Sequence, residues 1–302
     1  MNLTERSRRK VAAIVVGTVI ACGFLALVTT RGCVGDMGVV ERTEHVEAAG
    51  IRNLVIDLPA GRLRVSEAPA GQADIVVSER ASGTALGQAS LECAVEGDTL
   101  SIGYRVNPLA WLPIYWLGGG QRELEVTVPP AVLDELQGFR LQNSSGESQV
   151  SGLRCQNAEV SVSSGRAVLD EVSVGERASL RLSSGELRVT GGALGSCDLR
   201  VSSGSAQVSA AMDGLGLAVS SGQARVACEG ADLDRVDVEL TSGTVELRLP
   251  RDLGFDAAVS KVSGSFTCGF DASVRGETYA YGDGGTPIDI RITSGNMTLA
   301  PL

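Results

Sequence analysis

The 302-residue sequence is poor in several residue types that common functions require. It has a single histidine, His45, which leaves little for histidine-based acid–base or metal chemistry. Its 26 lysines and arginines are outnumbered by 36 aspartates and glutamates, and the net charge of −10 argues against a nucleic-acid-binding protein. Aromatic residues make up only 4% of the chain, but 43% of the residues are hydrophobic, which is enough to fill a core. This composition favours a structural or binding protein over an enzyme.

The N-terminal segment has the features of a membrane anchor. Residues 1–10 form a basic tail, and Val11–Thr30 is an uncharged run of twenty residues. At a helical rise of about 1.5 Å per residue, this run spans about 30 Å, which is the hydrocarbon thickness of a bilayer. Basic residues before such a run keep the N-terminus in the cytoplasm. We therefore predict a single-pass inner-membrane helix, with the remaining chain exported to the periplasm or the cell surface.

Other interpretations of this segment fit less well. A cleaved signal peptide would have a shorter apolar core, followed by a small-residue cleavage site. The run Val19–Cys22 resembles a bacterial lipobox, in which the cysteine is lipidated, but Gly23–Val28 would then leave an apolar stretch directly after the lipid. After the anchor, residues 31–50 are predicted to form an extracytoplasmic stalk.

A three-residue unit, Ser-Ser-Gly or a near variant, recurs eight times from residue 143 onward, with glycines 19, 20, 19, 18, 21, 21 and 31 residues apart. On both sides of each glycine, apolar and polar residues alternate, as in a strand with one buried face. For example, Val160 and Val162 precede Gly165, and Ala167 and Leu169 follow it. Each unit is thus predicted to be a strand, a sharp corner, a second strand and a remainder of eight to ten residues.

This repeat predicts an all-β protein, because a unit of 19–21 residues is too short for a strand and a full helix. We predict a single-stranded β-solenoid (β-helix) over residues 143–302, with one coil per unit and coils stacked about 4.8 Å apart. The corner glycines would adopt positive φ angles, and the corner serines would bond neighbouring backbone groups. The less regular residues 51–142 are predicted to form the first coils and an N-terminal cap, which shields the open edge.

Two stretches of the chain carry a resemblance to a known family. One is Glu123–Pro129 followed by the first Ser-Ser-Gly unit, and the other is Ser242-Gly243 followed by Leu247–Pro250 and Ser263-Gly264. With these motifs, roughly residues 50–300 resemble the bacterial β-strand-repeat proteins provisionally called adhesins, whose domain has no established function. The resemblance implies an exported, non-catalytic surface or envelope protein, and it offers no catalytic residues or cofactor.

Three kinds of chemistry find little support in the sequence. A serine nucleophile needs a nearby base, but His45 lies in the predicted stalk, and Lys261 is the sole lysine of the predicted exported part. The corners lack the aspartates of calcium-binding solenoids, and no pair of cysteines has the spacing of a zinc site. We therefore predict no catalytic, cofactor-binding or metal-binding residues.

The seven cysteines are predicted to be mostly free. Cys22 lies in the membrane run, and the other six are an even number that permits disulfides in an oxidising compartment. However, Cys155 and Cys197 fall about two coils apart, as do Cys228 and Cys268, which corresponds to about 10 Å. This distance is too long for a disulfide. We expect buried thiols that act as small apolar residues.

Two arginines are candidates for binding. Arg181 and Arg200 have the same offset from their corner glycines, so we expect them to be neighbours on an outer face. There they could hold an anion or a sugar acid, or simply belong to a solvated face. Glu147, Arg166 and Glu186 share another offset and would alternate in sign as an ion-pair ladder.

Aromatic residues concentrate where the repeat pattern is interrupted. A stretch that ends in three glycines contains Trp111, Tyr115 and Trp116. It would form either a hydrophobic plug over the end of the lumen or an exposed loop that contacts a partner or the membrane interface. The extra residues before the last coil contain Tyr279 and Tyr281. Both stretches are candidate interaction sites, because loops on a rigid scaffold often carry function.

These features together predict an adhesin-like or scaffold surface in the bacterial envelope, bound to an unidentified envelope protein or polysaccharide. Self-association through the solenoid ends is also expected, since only Pro301 lies near the end of the last coil to discourage pairing. One alternative is a regulatory or sensory accessory protein that binds another membrane component through Val11–Thr30. A second alternative is a polysaccharide-binding or polysaccharide-cleaving β-helix.

Overall fold

The computed structural model describes residues 39–83, 89–106, 120–230 and 233–302. The predicted anchor, Val11–Thr30, lies outside these ranges. Within them, no helix is both long enough and apolar enough to cross a membrane. The described residues form 25 strands and one short helix, α1 (Pro130–Glu135), which confirms the all-β class.

The strands are short and follow one another closely along the chain. They are β1 (Val39–Val46), β2 (Asn53–Leu58), β3 (Arg62–Glu67), β4 (Ile75–Ser82), β5 (Ala89–Glu96), β6 (Thr99–Val106), β7 (Arg122–Val128), β8 (Gly138–Asn143), β9 (Glu147–Ser151), β10 (Arg154–Val162), β11 (Arg166–Asp170), β12 (Ser173–Leu182), β13 (Glu186–Ala193), β14 (Ser196–Val201), β15 (Ser205–Ala211), β16 (Gly214–Val219), β17 (Gln223–Cys228), β18 (Arg235–Leu240), β19 (Thr244–Leu249), β20 (Phe255–Lys261), β21 (Ser265–Cys268), β22 (Ser273–Arg275), β23 (Thr278–Tyr281), β24 (Thr286–Ile292) and β25 (Asn296–Pro301).

The strands pair in two stacks that meet at the corners. Stack A holds the strands before the corners, in the spatial order β5-β6-β2-β8-β10-β12-β14-β16-β18-β24-β20-β23-β22. Stack B holds the strands after the corners, in the order β1-β4-β7-β3-β9-β11-β13-β15-β17-β19-β25-β21. Pairing is parallel from β6 to β20 and from β7 to β21, and antiparallel beyond. Val160, Leu180 and Leu199 align in register on successive coils, as expected for a β-solenoid.

The order of the coils departs from chain order at both ends. The β2–β3 coil lies between the β6–β7 coil and the β8–β9 coil. Similarly, the β24–β25 coil lies between the β18–β19 coil and the β20–β21 coil. The expectation that the last strand in sequence forms an open edge is wrong, because β25 is paired on both sides, whereas β21 has one paired neighbour. Self-association through the solenoid ends stays a prediction. The terminal strand of stack B is β21.

Antiparallel strands, rather than further coils, cover both stacks at the N-terminal end and stack A at the C-terminal end, where β21 remains the outermost strand of stack B. Residues 39–46, predicted as part of a stalk, instead form β1 and pair with β4 in register from Val39–Ser82 to Val46–Ile75. At the other end, the β22–β23 hairpin pairs with β20. These strands cover the edges of a long sheet, which are otherwise sites of unwanted pairing.

The interior is lined by the alternating apolar residues, which pack into one buried core. Leu180, Leu199 and Leu217, for example, are at most 2% exposed. Cys155 and Cys197 are buried and free, and burial raises the pKa of the Cys197 thiol to about 12. A thiol in this state is neutral and packs as a small apolar group, as predicted.

The corner glycines are needed for a reason other than the predicted positive φ. Of the eight repeat glycines, all in the described ranges, only Gly264 has a positive φ, of 90°. A Cβ at Gly185 would lie closer than 3.0 Å to the carbonyl oxygen of Gly165 on the neighbouring coil. The same approach recurs at Gly146, where a Cβ would lie 2.5 Å from the Gly61 oxygen. Glycine is therefore required because the backbones of stacked corners pass too close for any side chain.

The corner serines lie in the solvent along the edge between the two stacks. The Ser221 hydroxyl donates to the Ser202 carbonyl at 3.2 Å, and the Ser145 hydroxyl donates to the Pro59 carbonyl at 2.8 Å. Both bonds join a corner to the coil beside it. These two contacts agree with the prediction that corner serines bond neighbouring backbone groups.

Candidate functional site on the outer face of stack A

The register of stack A brings Arg181 and Arg200 together. They are direct partners on β12 and β14, and both side chains are exposed. Parallel strands lie about 4.8 Å apart, so the two guanidinium groups project from adjacent positions. This confirms the neighbour relation predicted from their equal offsets.

Two further arginines border the same depression of about 580 Å³. Arg140 lies on β8 and Arg177 on β12, so that four guanidinium groups extend over four successive strands of stack A. We call this depression the arginine trough. Its remaining polar side chains are Asn53, Thr99, Asn157, Glu159, Ser179 and Asp198.

The carboxylates in the arginine trough neutralise only part of its positive charge. Glu159 is shared, with Arg140 Nη2 at 2.9 Å from one carboxylate oxygen and Arg181 paired with the other. Arg177 lies 3.5 Å from Asp198. Arg200 makes no ion pair with any residue in the described ranges. Four arginines against two acids leave a local charge of +2 on a chain whose net charge is −10.

Beyond β14, the outer face of stack A no longer carries a surplus of arginines. The outward positions of β16 are Gly214, Gly216 and Ala218, so this strand presents no long side chain to the solvent. The next strands, β18 and β24, carry a mainly acidic group that includes Asp237 and Asp289. The acidic members of this group are Asp237, Glu239 and Asp289, and the basic ones are Arg235 and Arg291.

The acidic group is held by arginines of its own. Arg235 bonds both oxygens of Asp237, at 2.6 and 2.9 Å, and reaches Asp289 at 2.7 Å. The hydrogen bond from Arg235 lowers the pKa of Asp237. The arginine trough is thus the part of this face with a surplus of positive charge.

Stack B carries a charge ladder on its outer face. Seven side chains of alternating sign occupy one row, in the order Glu41, Arg80, Glu123, Arg62, Glu147, Arg166 and Glu186. Arg62 lies 2.9 Å from Glu123 and 3.5 Å from Glu147. The alternation predicted for three coils is therefore confirmed and extends to β1. Such exposed pairs contribute little energy but favour one register.

The N-terminal cap contains a polar cluster that sequence reasoning missed. Arg122 lies 3.2 Å from Glu79, and its guanidinium carbon lies 4.2 Å from the centre of the Tyr104 ring. Burial raises the pKa of Glu79, and burial also raises the pKa of Tyr104 and Cys93. The signal for this cluster was present, because Glu79 and Arg122 occupy the inward phase of β4 and β7, where apolar residues are expected.

The aromatic residues predicted as interaction sites have different outcomes. Trp111, Tyr115 and Trp116 lie outside the described residues. Tyr279 and Tyr281 lie on β23 and are partly buried against the core rather than on a free loop.

Their rings belong to the cap at the C-terminal end of the solenoid. The Tyr281 ring centre lies 5.5 Å from that of Phe255, and the Tyr279 ring centre lies 5.1 Å from that of Phe266. The Tyr281 hydroxyl also donates to the Arg251 carbonyl at 3.0 Å. These two tyrosines therefore close the end of the lumen.

The chain is similar to several solved structures and to one protein family. No curated protein matches it. Among solved structures, a protein of Parabacteroides distasonis provisionally named a lipid-binding protein is 12% identical, with 89% of this chain and 98% of that one covered and a TM-score of 0.49. A provisionally named adhesin of Bacteroides fragilis is 12% identical, with 90% and 100% covered and a TM-score of 0.42. A model of the Toastrack DUF4097 family matches residues 51–300, and the chain therefore belongs to that family.

Proposed function

We propose that this chain is a membrane-anchored β-solenoid that acts outside the bacterial cytoplasm as an adhesin-like or scaffold surface, without catalysis. The anchor is supported by the twenty uncharged residues of Val11–Thr30 and by the basic tail before them.

The observation that carries the proposal is the alignment of outward side chains in register along the stack. On stack A, successive strands carry Arg181 and Arg200 at a fixed spacing. On stack B, successive strands carry Arg62, Glu147 and Arg166 in the same way. Such rows offer many shallow contacts to an extended partner, and their effects combine when several contacts form together. A binding surface of this kind needs no deep pocket.

The placement of the reactive residues supports a role without catalysis. His45, the single histidine, lies on β1 and pairs with Val76 across the sheet. The two corner serines described above use their hydroxyls to bond backbone carbonyls between coils. Lys261 lies at the end of β20, in the outermost coil at the C-terminal end of the stack.

The proposal is tested by site-specific photo-crosslinking of the full-length chain in its native membrane. A photoreactive residue is placed at Ser179 on stack A or at Gln207 on stack B, and adducts are identified by mass spectrometry. We expect adducts with envelope components, and we expect the same adducts when Val11–Thr30 is replaced by an unrelated anchor. A protein without adducts from either face would contradict the proposal. Adducts that vanish with the anchor replacement would instead favour the regulatory alternative.

A further inference from the structure

We infer that the arginine trough binds a linear acidic polysaccharide, with arginines holding the sugar carboxylates. This inference rests on the proposed function and specifies the ligand class of the same surface. It also goes beyond two neighbouring arginines, because four of them converge on one depression of about 580 Å³.

The surplus of positive charge in the trough favours an anionic ligand. Arg200 lines it without an acidic partner among the described residues, and Arg140 and Arg181 share the single carboxylate of Glu159. An arginine can form two parallel hydrogen bonds with a carboxylate, and such charge-assisted bonds are stronger than neutral ones. A ligand carboxylate beside Arg200 would complete the pairing that the protein itself leaves incomplete.

The length of the trough favours an extended ligand. Its arginines span four strands, from β8 to β14, which corresponds to about 14 Å along the stack at the usual strand spacing. Gly138 and Ser179 are short residues between the longer side chains, so the depression stays open along its length. A small anion would reach only one or two of the guanidinium groups, whereas a polymer can reach all four.

The remaining lining favours a sugar over a polyphosphate. Asn53, Thr99, Asn157 and Ser179 supply neutral hydrogen-bonding groups, which suit the hydroxyls of a sugar. Glu159 and Asp198 would repel a chain of densely spaced charges. One carboxylate per sugar, separated by hydroxyl groups, matches this mixture of positive, negative and neutral side chains.

The test measures binding of polygalacturonate fragments to the immobilised full-length chain, with dextran as the neutral polymer and polyphosphate as the phosphate polymer. The test variant is Arg181→Ala with Arg200→Ala. The matched control is Arg225→Ala, which removes an exposed arginine from the outer face of stack B. We expect wild type to bind polygalacturonate but not dextran, and we expect the double variant to bind at least about tenfold more weakly. The control variant should stay within about twofold of wild type, and added salt should weaken binding.

Several results would overturn the inference. These are no binding of polygalacturonate, equal binding by wild type and the double variant, or arginine-dependent binding of polyphosphate alone. An arginine-dependent dimer seen by light scattering, without polymer binding, would assign the surface to a second copy instead. Each of these outcomes is compatible with photo-crosslinked adducts to envelope components, so the inference can fail while the proposed function stands. Conversely, release of new reducing ends from polygalacturonate would contradict the non-catalytic role, while the binding comparison would still decide the ligand.

Discussion

The middle of the solenoid and its two ends are built by different rules. From β10 to β19, each coil lies on the coil that precedes it in the chain. At the ends, by contrast, the coil first or last in sequence is inserted beneath its neighbour. Antiparallel strands cover both outermost strands at the N-terminal end and β20 at the C-terminal end. The middle needs only a repeated pattern of apolar residues and corner glycines, whereas the ends also need a closed edge.

The difference has a consequence for stability. In a solenoid stacked in chain order, the terminal strand has one neighbour and can fray alone. Here β25 is held between β19 and β21, and β3 is held between β7 and β9. Loss of either inserted strand would therefore detach the coil outside it.

Deleting residues 296–302 should have the largest effect, because this removes β25 from between two strands. The buried side chains of Met297 and Leu299 are lost with it, and β21 loses its single paired strand among the described residues. Since each large buried side chain contributes about 2–5 kcal/mol, we expect a loss of at least about 4 kcal/mol in the free energy of unfolding. The measurement is urea denaturation, combined with hydrogen exchange of individual segments.

Hydrogen exchange distinguishes insertion from simple shortening. We expect the amides of β20 and β21 to lose protection in the deletion variant, while those of β11 to β14 keep it. Thr298→Ala, a change on the outward side of β25, should stay within about 0.5 kcal/mol of wild type. Full protection of β20 and β21 after the deletion would show that the inserted coil is not what holds the end.

The second-largest effect is expected from glycine substitutions, which should cost more stability at a corner in the middle than in the hairpin at the C-terminal end. Gly185→Ala would press a methyl group against the Gly165 carbonyl, which is fixed by its hydrogen bond from the Glu186 amide at 3.0 Å. We expect this to cost about 3 kcal/mol. Gly276 in the C-terminal hairpin has a φ of 62° and open space around it, so Gly276→Ala should cost only about 1 kcal/mol. Equal losses in urea denaturation would contradict this account of the corners.

The sequence predicted the middle well but not the ends, and the reason is physical. Alternation of apolar and polar residues determines which side of a strand faces inward, but not which coil lies next to it. In the middle, short connections leave little choice. At the C-terminal end, the step of 31 residues from Gly264 to Gly295 signalled an insertion without showing that the later coil packs beneath the earlier one.

The candidate site was predictable to a similar extent. Arg181 and Arg200 share an offset from their glycines, so their position as neighbours on adjacent strands followed from the repeat alone. Arg140 and Arg177 have other offsets and join the trough from neighbouring rows. Finding them required the register of β8, β10 and β12, which single-coil patterns do not supply.

The pH dependence of local stability should also differ between the N-terminal cap and the middle. Burial raises the folded-state pKa of Glu79 above its ordinary 4.5. The stability that protonated Glu79 contributes is therefore fully present below the unfolded-state pKa, and it is lost as the pH rises through the folded-state pKa. Asp237 has a lowered pKa in the folded state. The stability that ionised Asp237 contributes is therefore fully present above the unfolded-state pKa, and it is lost as the pH falls through the folded-state pKa. We therefore expect acidification from neutral pH to increase amide protection in β4 and β7, and further acidification to decrease it in β18. Glu79→Gln should flatten the pH response of β4 and β7 alone; an unchanged response would assign it to another group.

The smallest effect is expected from the charge ladder, which crosses the rearranged N-terminal coils. Arg62→Gln removes contacts with Glu123 and Glu147, whose side chains are 46% and 52% exposed. Because solvent screens such pairs, we expect a loss below about 1 kcal/mol, reduced further in 1 M salt. Arg225→Gln, which removes a single pair with Glu246 in the regular middle, is the matched control and should cost less. A loss of several kcal/mol at Arg62 but not at Arg225 would mean that charge pairing, and not only edge closure, holds the inserted β2–β3 coil in its position.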